Sequence, residues 1–375
     1  MRRAVALSLI ALILGIGLGL YGAEAERELV IWQLPQAGSR PAGVAWTKNT
    51  VYATLYGADT LAALDLRTGR VDEIPVGDGP YGIVVEDGYV YVTLSLEDRL
   101  AVFRPTTETL HKIALPTPGG RPDRLIAALW SPNAAHLGIA EPRAGRIARF
   151  QMAESEIPAG GSVEPTTSRI PLTASTIYAR SVSVQPQTVL VYPLGAGPTS
   201  ETFVETVRGP FTEWQLARGG SLEDLSFEAS GRFWIARRDA TLLRLDPMTG
   251  AAEVYALPLK AQATLVDAAG YGGGIVFFDA QRGALGELDL HTGNVTLWPL
   301  PGARDVVALA FDAEDRIWFA DRDADVVGSL DRDANTFTLY DLPAGSGPVA
   351  LTPGLDGLDL WFAAQDGNYI GKLGR

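Results

Sequence analysis

The histidines, carboxylates and arginines of this chain are the groups that could do chemistry, and their spacing decides which chemistry is open. There are three histidines, His111, His136 and His291, and no cysteine. The missing cysteine excludes thiolate nucleophiles, disulfides and cysteine-ligated zinc. Acid–base work would fall to an imidazole or to a carboxyl group with a shifted pKa. His291 stands out because it follows an aspartate closely, in the phrase LDLHTG that starts at Leu288.

The phrase recurs without its histidine. LDLRTG starts at Leu64 and LDPMTG at Leu245, so Arg67 and Met248 occupy the place of His291 while Asp65, Asp246 and Asp289 persist. The aspartate can accept N–H groups of its own turn, and the glycine supplies the positive φ the turn needs. His291 is therefore read as a turn residue. The repeat carries a period: Asp246 to Asp289 is 43 residues, Asp289 to Asp331 is 42, and Gly328 to Gly371 is 43.

Each unit reads as four strands. Short apolar runs rich in Val, Ile, Tyr, Trp and Phe are broken by Gly, Pro, Asp and Asn every few residues. An inner strand follows a turn such as GPYG, a second ends in a phrase such as RIWFA, a third in LD, and a fourth in LP. Four strands at this period predict the blades of an all-β propeller. Outer strands are read at VIWQLP, VDEIPV, LHKIALP, SRIPLT, TEWQLA, AEVYALP, VTLWPLP and TFTLYDLP, which gives eight blades. SRIPLT and TEWQLA fit the pattern poorly, and the alternative is seven blades with a large insertion between about 118 and 218. Within that region Ala153–Ser168 reads as a polar surface loop of the third blade, and ETFVETVRG as a helix or an edge-type strand. The last unit lacks a fourth strand, so the N-terminal strand is expected to complete it and close the ring. Trp234, Trp318 and Trp361 sit at repeat positions and read as packing between blades.

The N-terminus has a different character. Arg2 and Arg3 precede an 18-residue apolar run, Ala4 to Tyr21, and Ala23-Glu24-Ala25 suits a signal-peptidase site. Residues 1–25 are expected to be a signal peptide or an uncleaved membrane anchor. Residues 26–375 then form one extracytoplasmic propeller, periplasmic or secreted, that works as a monomer. The formal net charge is −13, with no basic stripe, which argues against a nucleic-acid partner.

LWFAAQDGNYIGKLG near the C-terminus, with GDGPYGIVVEDGYVYVT, RIWFADRDADVVGSL and GSGPVAL, resembles the blade phrase of the streptogramin B (virginiamycin B) lyase family, within the wider gluconolactonase-like propeller group. The resemblance covers about 36–117 and 219–375 and is poor over 118–218. It implies a magnesium-assisted lyase that opens a cyclic depsipeptide with a histidine and glutamates facing the central channel. Those residues would come from the starts of inner strands and the ends of second strands. The first ring carried over here is Ala42, Tyr81, Asp123, Arg180, Glu223, Ala263, Val307 and Val349, with Asp123 and Arg180 placed to within a residue or two. The second is Leu55, Leu94, Glu141, Pro193, Arg237, Asp279, Asp321 and Ala364. No histidine falls on either ring, so the family's catalytic histidine is missing.

The polar members of both rings form the expected binding set: Tyr81, Asp123, Glu141, Arg180, Glu223, Arg237, Asp279 and Asp321. A mouth half polar and half apolar suits an amphipathic small molecule or a loop of a partner protein of the cell envelope. The rival expectation is a metal-assisted lyase or lactonase in which Glu141, Glu223 and Asp279 converge on Mg²⁺ or Ca²⁺, hard cations that take oxygen ligands. A third is an envelope scaffold that binds through the blade sides. Asp321, Asp323 and Asp325 have the spacing of a calcium loop but lack its Gly and distal Glu. No catalytic residue and no definite metal ligand is assigned.

Overall fold

The computed structural model describes residues 27–374, apart from 128–133, 154–155, 164–166, 173, 187, 195–196, 202–203, 216–221, 228–230, 238, 258–264, 272–273, 355–356 and 358. The expected leader, 1–25, lies outside the described residues. No described helix is long and apolar enough to cross a membrane.

The described strands form seven antiparallel sheets around a central channel. Blade 1 holds Pro41–Trp46, Thr50–Leu55, Thr60–Asp65 and Arg70–Pro75, from the channel outward. Blade 2 spans Pro80–Ala114 and blades 4 to 6 run from Leu222 to Asp341 in the same order. Blade 7 takes Pro348–Pro353, Leu360–Ala364 and Tyr369–Gly374, and its fourth strand is Arg27–Gln33. That strand pairs antiparallel with Tyr369–Gly374, Glu28 opposite Gly374, and the ring closes there.

Blade 3 corrects the expectation of eight. Its first three strands are Leu125–Ala127, Ala134–Glu141 and Arg146–Ala153, but its fourth is Phe211–Gln215, in the TEWQLA phrase. The residues between do not form a blade. They run round the outside of the propeller and add a fifth strand to each sheet in turn. Gly161–Ser162 pairs with blade 2, Thr167–Pro171 with blade 1, and Ala174–Ala179 with blade 7. Ser181–Val184 pairs with blade 6, Leu190–Pro193 with blade 5, Thr199–Glu201 with blade 4, and Val204–Arg208 with blade 3 itself. SRIPLT, counted as an outer strand, is a piece of this belt, and so is the ambiguous VETVR. The belt strands look like blade strands because they obey the same physics. Each satisfies the open N–H and C=O edge of a fourth strand, and each region sends apolar side chains inward. Val163, Leu172, Ala179 and Leu190 pack on clusters between blades, while Ile177, Val182, Val191 and Val207 face outward and stay exposed.

The core is divided among the seams between neighbouring blades. Trp234, Trp318, Phe319 and Phe362 from second strands are fully or almost fully buried there. Gly328 and Gly371, the repeat glycines of third strands, lie under the rings of Phe319 and Phe362, where a Cβ would collide with the ring. The LDxxTG turns take the predicted form. Asp289 Oδ1 accepts the N–H groups of His291 at 2.8 Å and Thr292 at 3.2 Å, and Gly293 has φ 70°. Asp65 and Asp246 repeat the geometry. His291 is exposed in this turn, far along the blade from the channel mouth.

Candidate functional site

Inner strands begin, and second strands end, at one mouth of the channel. Six inner strands start with a register shift against their second strand, at Pro41/Gly43, Pro80/Ile83, Leu222/Asp224, Val266/Ala269, Val306/Ala308 and Pro348/Ala350. A bulge of this kind bends the strand and re-aims its side chains. In blades 1 and 2 a threonine locks it. Thr54 Oγ1 accepts the Gly43 N–H and donates to the Tyr81 carbonyl of the next blade; Thr93 Oγ1 accepts the Gly82 N–H and donates to the Asp123 carbonyl at 3.1 Å.

Behind this mouth lies a cavity of about 200 Å³. Its polar wall is Tyr81, Asp123, Arg124 and Asp224; Ile83, Leu309 and Leu351 are among the apolar residues that complete it. Arg124 is the central group. Its Nε lies 3.5 Å from Asp224 Oδ1 on blade 4, and its Nη2 donates to the Val307 carbonyl of blade 6 at 3.5 Å. Asp224 is 2% exposed. Its Oδ1 also accepts the Leu225 N–H at 2.7 Å, but its buried Oδ2 has no hydrogen-bond partner among the described residues. Asp123 is pushed up to about 6, chiefly by burial; Arg124 and its own backbone N–H oppose the shift, and Asp224 adds to it.

Of the eight predicted site residues, Tyr81 and Asp123 are the ones that line this cavity among the described residues. Glu223 sits in the bulge beside it, in the strand Leu222–Phe227. Sequence reasoning missed Arg124 and Asp224, each one residue from a predicted member. A bulge shifts the inward residue by one, and nothing in the sequence marks where the bulge falls. Arg180 is misplaced altogether: it is exposed on the belt, between Ala174–Ala179 and Ser181–Val184, because it belongs to no blade.

The second ring is largely spent on architecture. Asp279, fully buried, accepts the N–H groups of Gln281 and Arg282 at 3.1 Å and pairs with Arg282 Nη1 at 2.8 Å. Asp321 accepts the N–H groups of Arg304, Asp305 and Ala324 at 2.8–3.1 Å, tying blade 6 to the linker before it. Asp325 caps Gly345 and Gly347 in the next linker, as Asp98 caps Gly119 and Arg121. The calcium-loop spacing of Asp321, Asp323 and Asp325 thus serves two separate linkers. Arg237 is buried and approaches Asp239 at 3.5 Å. No group of three His, Asp or Glu among the described residues is arranged to hold a metal ion.

Glu141 is the exception in this ring. It is fully buried, and Arg146 Nη2 donates to its Oε2 at 2.7 Å. The same Nη2 reaches the Thr117 carbonyl at 3.0 Å, and Thr117 Oγ1 donates to Glu213 Oε2 at 2.6 Å. One buried arginine therefore serves a neighbourhood with two buried glutamates. Glu141 Oε1, Glu213 Oε1 and Arg146 Nε have no hydrogen-bond partner among the described residues. Burial pushes Glu141 up to about 7; Arg146 opposes this, and Glu213 and Asp98 add to it.

The comparisons with known proteins agree on the fold. No protein-family model matches the chain, and no curated protein sequence matches it. Among solved structures, a streptogramin B lyase is 20% identical over 92% of this chain and 97% of its own, with a TM-score of 0.67. A catalytically inactive virginiamycin B lyase from Staphylococcus aureus, solved with Quinupristin, is 16% identical over 93% of this chain and all of its own, with a TM-score of 0.68. YCF48 bound to D1 peptide is 11% identical over 92% and 97%, with a TM-score of 0.58. The chain has the virginiamycin B lyase-like propeller fold, and at these identities the likeness shows the fold alone.

Proposed function

We propose that this protein binds a small molecule or a peptide segment at the channel mouth, and that its ligand presents a hydrogen-bond donor, an amine or amide, to Asp224. The observation that carries this is the buried, unpartnered Asp224 Oδ2 in a cavity that also holds Arg124 and Asp123. A buried acceptor left without a donor is costly and is normally satisfied by something. The apolar side, Ile83, Leu309 and Leu351, suits a hydrocarbon or aromatic body. The propeller bound to D1 peptide and the lyase solved with Quinupristin lend support by analogy of fold.

The test is thermal unfolding of residues 26–375 with phenethylamine, and with phenylpropionate as its anionic counterpart. A native-state ligand raises the melting temperature by mass action. The amine is expected to raise it, and Asp224→Asn to abolish the rise. A rise that survives in Asp224→Asn, or none with the amine, overturns the reading.

A metal-assisted lyase or lactonase is the second reading, favoured by Asp123, whose carboxyl near 6 lies in the range useful for acid–base transfer. Mg²⁺ or Ca²⁺ stabilisation lost in Glu141→Ala, Glu223→Ala or Asp279→Ala would move the assignment there. We also propose that the protein is exported, on the support of the leader-like residues 1–25; the mass of the N-terminus recovered from the envelope or medium tests this.

A further inference from the structure

A second cavity, of about 450 Å³, opens between blades 7 and 1 at the end of the propeller away from the mouth just described. Three of the chain's eight tryptophans line it, Trp32, Trp46 and Trp361, and so do two of its four lysines, Lys48 and Lys372. The seam brings together the fourth strand of blade 7, its second and third strands, and the first hairpin of blade 1. Residues more than 300 positions apart in the chain meet here, as Trp46 Nε1–H donating to the Pro353 carbonyl shows.

The indoles are held in fixed orientations. Trp32 and Trp361 have centroids 5.3 Å apart with their planes inclined at 31°. Trp46 is fastened through its Nε1–H to blade 7. Trp361 is 6% exposed, whereas Trp32 and Trp46 remain half-buried, so their free faces border the cavity. The charges are placed beside the rings. Lys372 Nζ lies 5.9 Å from the Trp361 centroid and pairs with Asp359 Oδ2 at 3.0 Å. Lys48 is exposed and makes no ion pair among the described residues. The lining therefore has two cations and one anion on a chain whose formal net charge is −13.

We infer that this groove is a binding site for an acidic saccharide. A pyranose ring has a flat, apolar C–H face that packs on an indole, whose large surface and fixed plane cost little entropy to organise. A lysine–aspartate pair offers a donor and an acceptor side by side, the arrangement that adjacent ring hydroxyls require. Lys48 supplies an uncommitted positive charge for a uronate or sulfate group. A neutral sugar would leave that charge unused. The site is separate from the channel and does not depend on the reading given above.

The experiment is a titration of residues 26–375 with tri-galacturonate, followed by tryptophan fluorescence and calorimetry. Maltotriose serves as the neutral control and a polyproline peptide as the competing class. Tri-galacturonate is expected to bind and to weaken as salt rises. Lys48→Glu, an exposed change that leaves packing intact, should weaken it about tenfold or more. Trp46→Ala should weaken both saccharides. Lack of saturation by tri-galacturonate, equal affinity for maltotriose, retained affinity in Lys48→Glu, or preference for the peptide would each overturn the assignment. The unfolding midpoint of Lys48→Glu shows that its fold is kept.

Discussion

Arg124 Nε lies 3.5 Å from Asp224 Oδ1, an ion pair that joins the approach to blade 3 with the inner strand of blade 4 inside the channel. The pair is asymmetric: Arg124 is partly exposed, and Asp224 is almost wholly buried. Removing the arginine therefore strands a buried carboxylate. Arg124→Ala is expected to cost about 1–3 kcal/mol in urea unfolding, and Arg124→Met with Asp224→Asn to recover most of it. Equal stability of Arg124→Ala and the parent would mean that the pair is only incidental.

Glu141 should make stability fall with rising pH. Its carboxyl group titrates near 7 in the folded protein against an ordinary value of 4.5. Between those values the folded chain holds the proton more tightly than the unfolded chain does. Its contribution is therefore complete below about pH 4.5 and is lost as pH rises through 7. Glu141→Gln should flatten that slope, leaving the variant relatively more stable at pH 8 than at pH 5. Parallel stability curves for parent and variant would sink the assignment.

The LDxxTG turns give a sharp contrast between neighbours. Asp289→Ala removes an acceptor of two backbone N–H groups and of Thr292 Oγ1, and should cost about 0.5–1.5 kcal/mol. His291→Ala touches an exposed turn side chain and should stay within about 0.5 kcal/mol of the parent. Thermal unfolding of both variants decides it. A larger loss at His291 would call for a role beyond the turn.

The belt predicts a change in association. Replacing residues 157–208 with a short Gly-Ser hairpin would leave the four strands of every blade in place but reopen seven strand edges. Open edges are templates for pairing with another chain. The variant should keep its β-sheet circular dichroism, unfold at lower urea, and form concentration-dependent oligomers on size-exclusion chromatography with light scattering. A monomer of unchanged stability would show that the belt does no more than connect.

What the sequence by itself determined was the repeating unit. Asp65, Asp246 and Asp289 with their Thr-Gly partners are local: a turn's hydrogen bonds are made within five residues, so its chemistry is written in order. The same holds for the strand rhythm and for the buried Trp234 and Trp318. Tertiary structure decided the rest. SRIPLT carries the rhythm of an outer strand, and pairing partners are not encoded in rhythm, so the count of blades fell to seven only when Thr167–Pro171 proved to lie on blade 1. Arg180 followed it out of the site. Asp224 entered the cavity from a bulge, which shifts facing by one residue, and Arg124 met it across a boundary between blades. Trp32, Trp46 and Trp361 are far apart in the chain and share a groove only because the ring closes where the ends meet. Local hydrogen bonds and period are properties of consecutive residues; cavities are properties of closure.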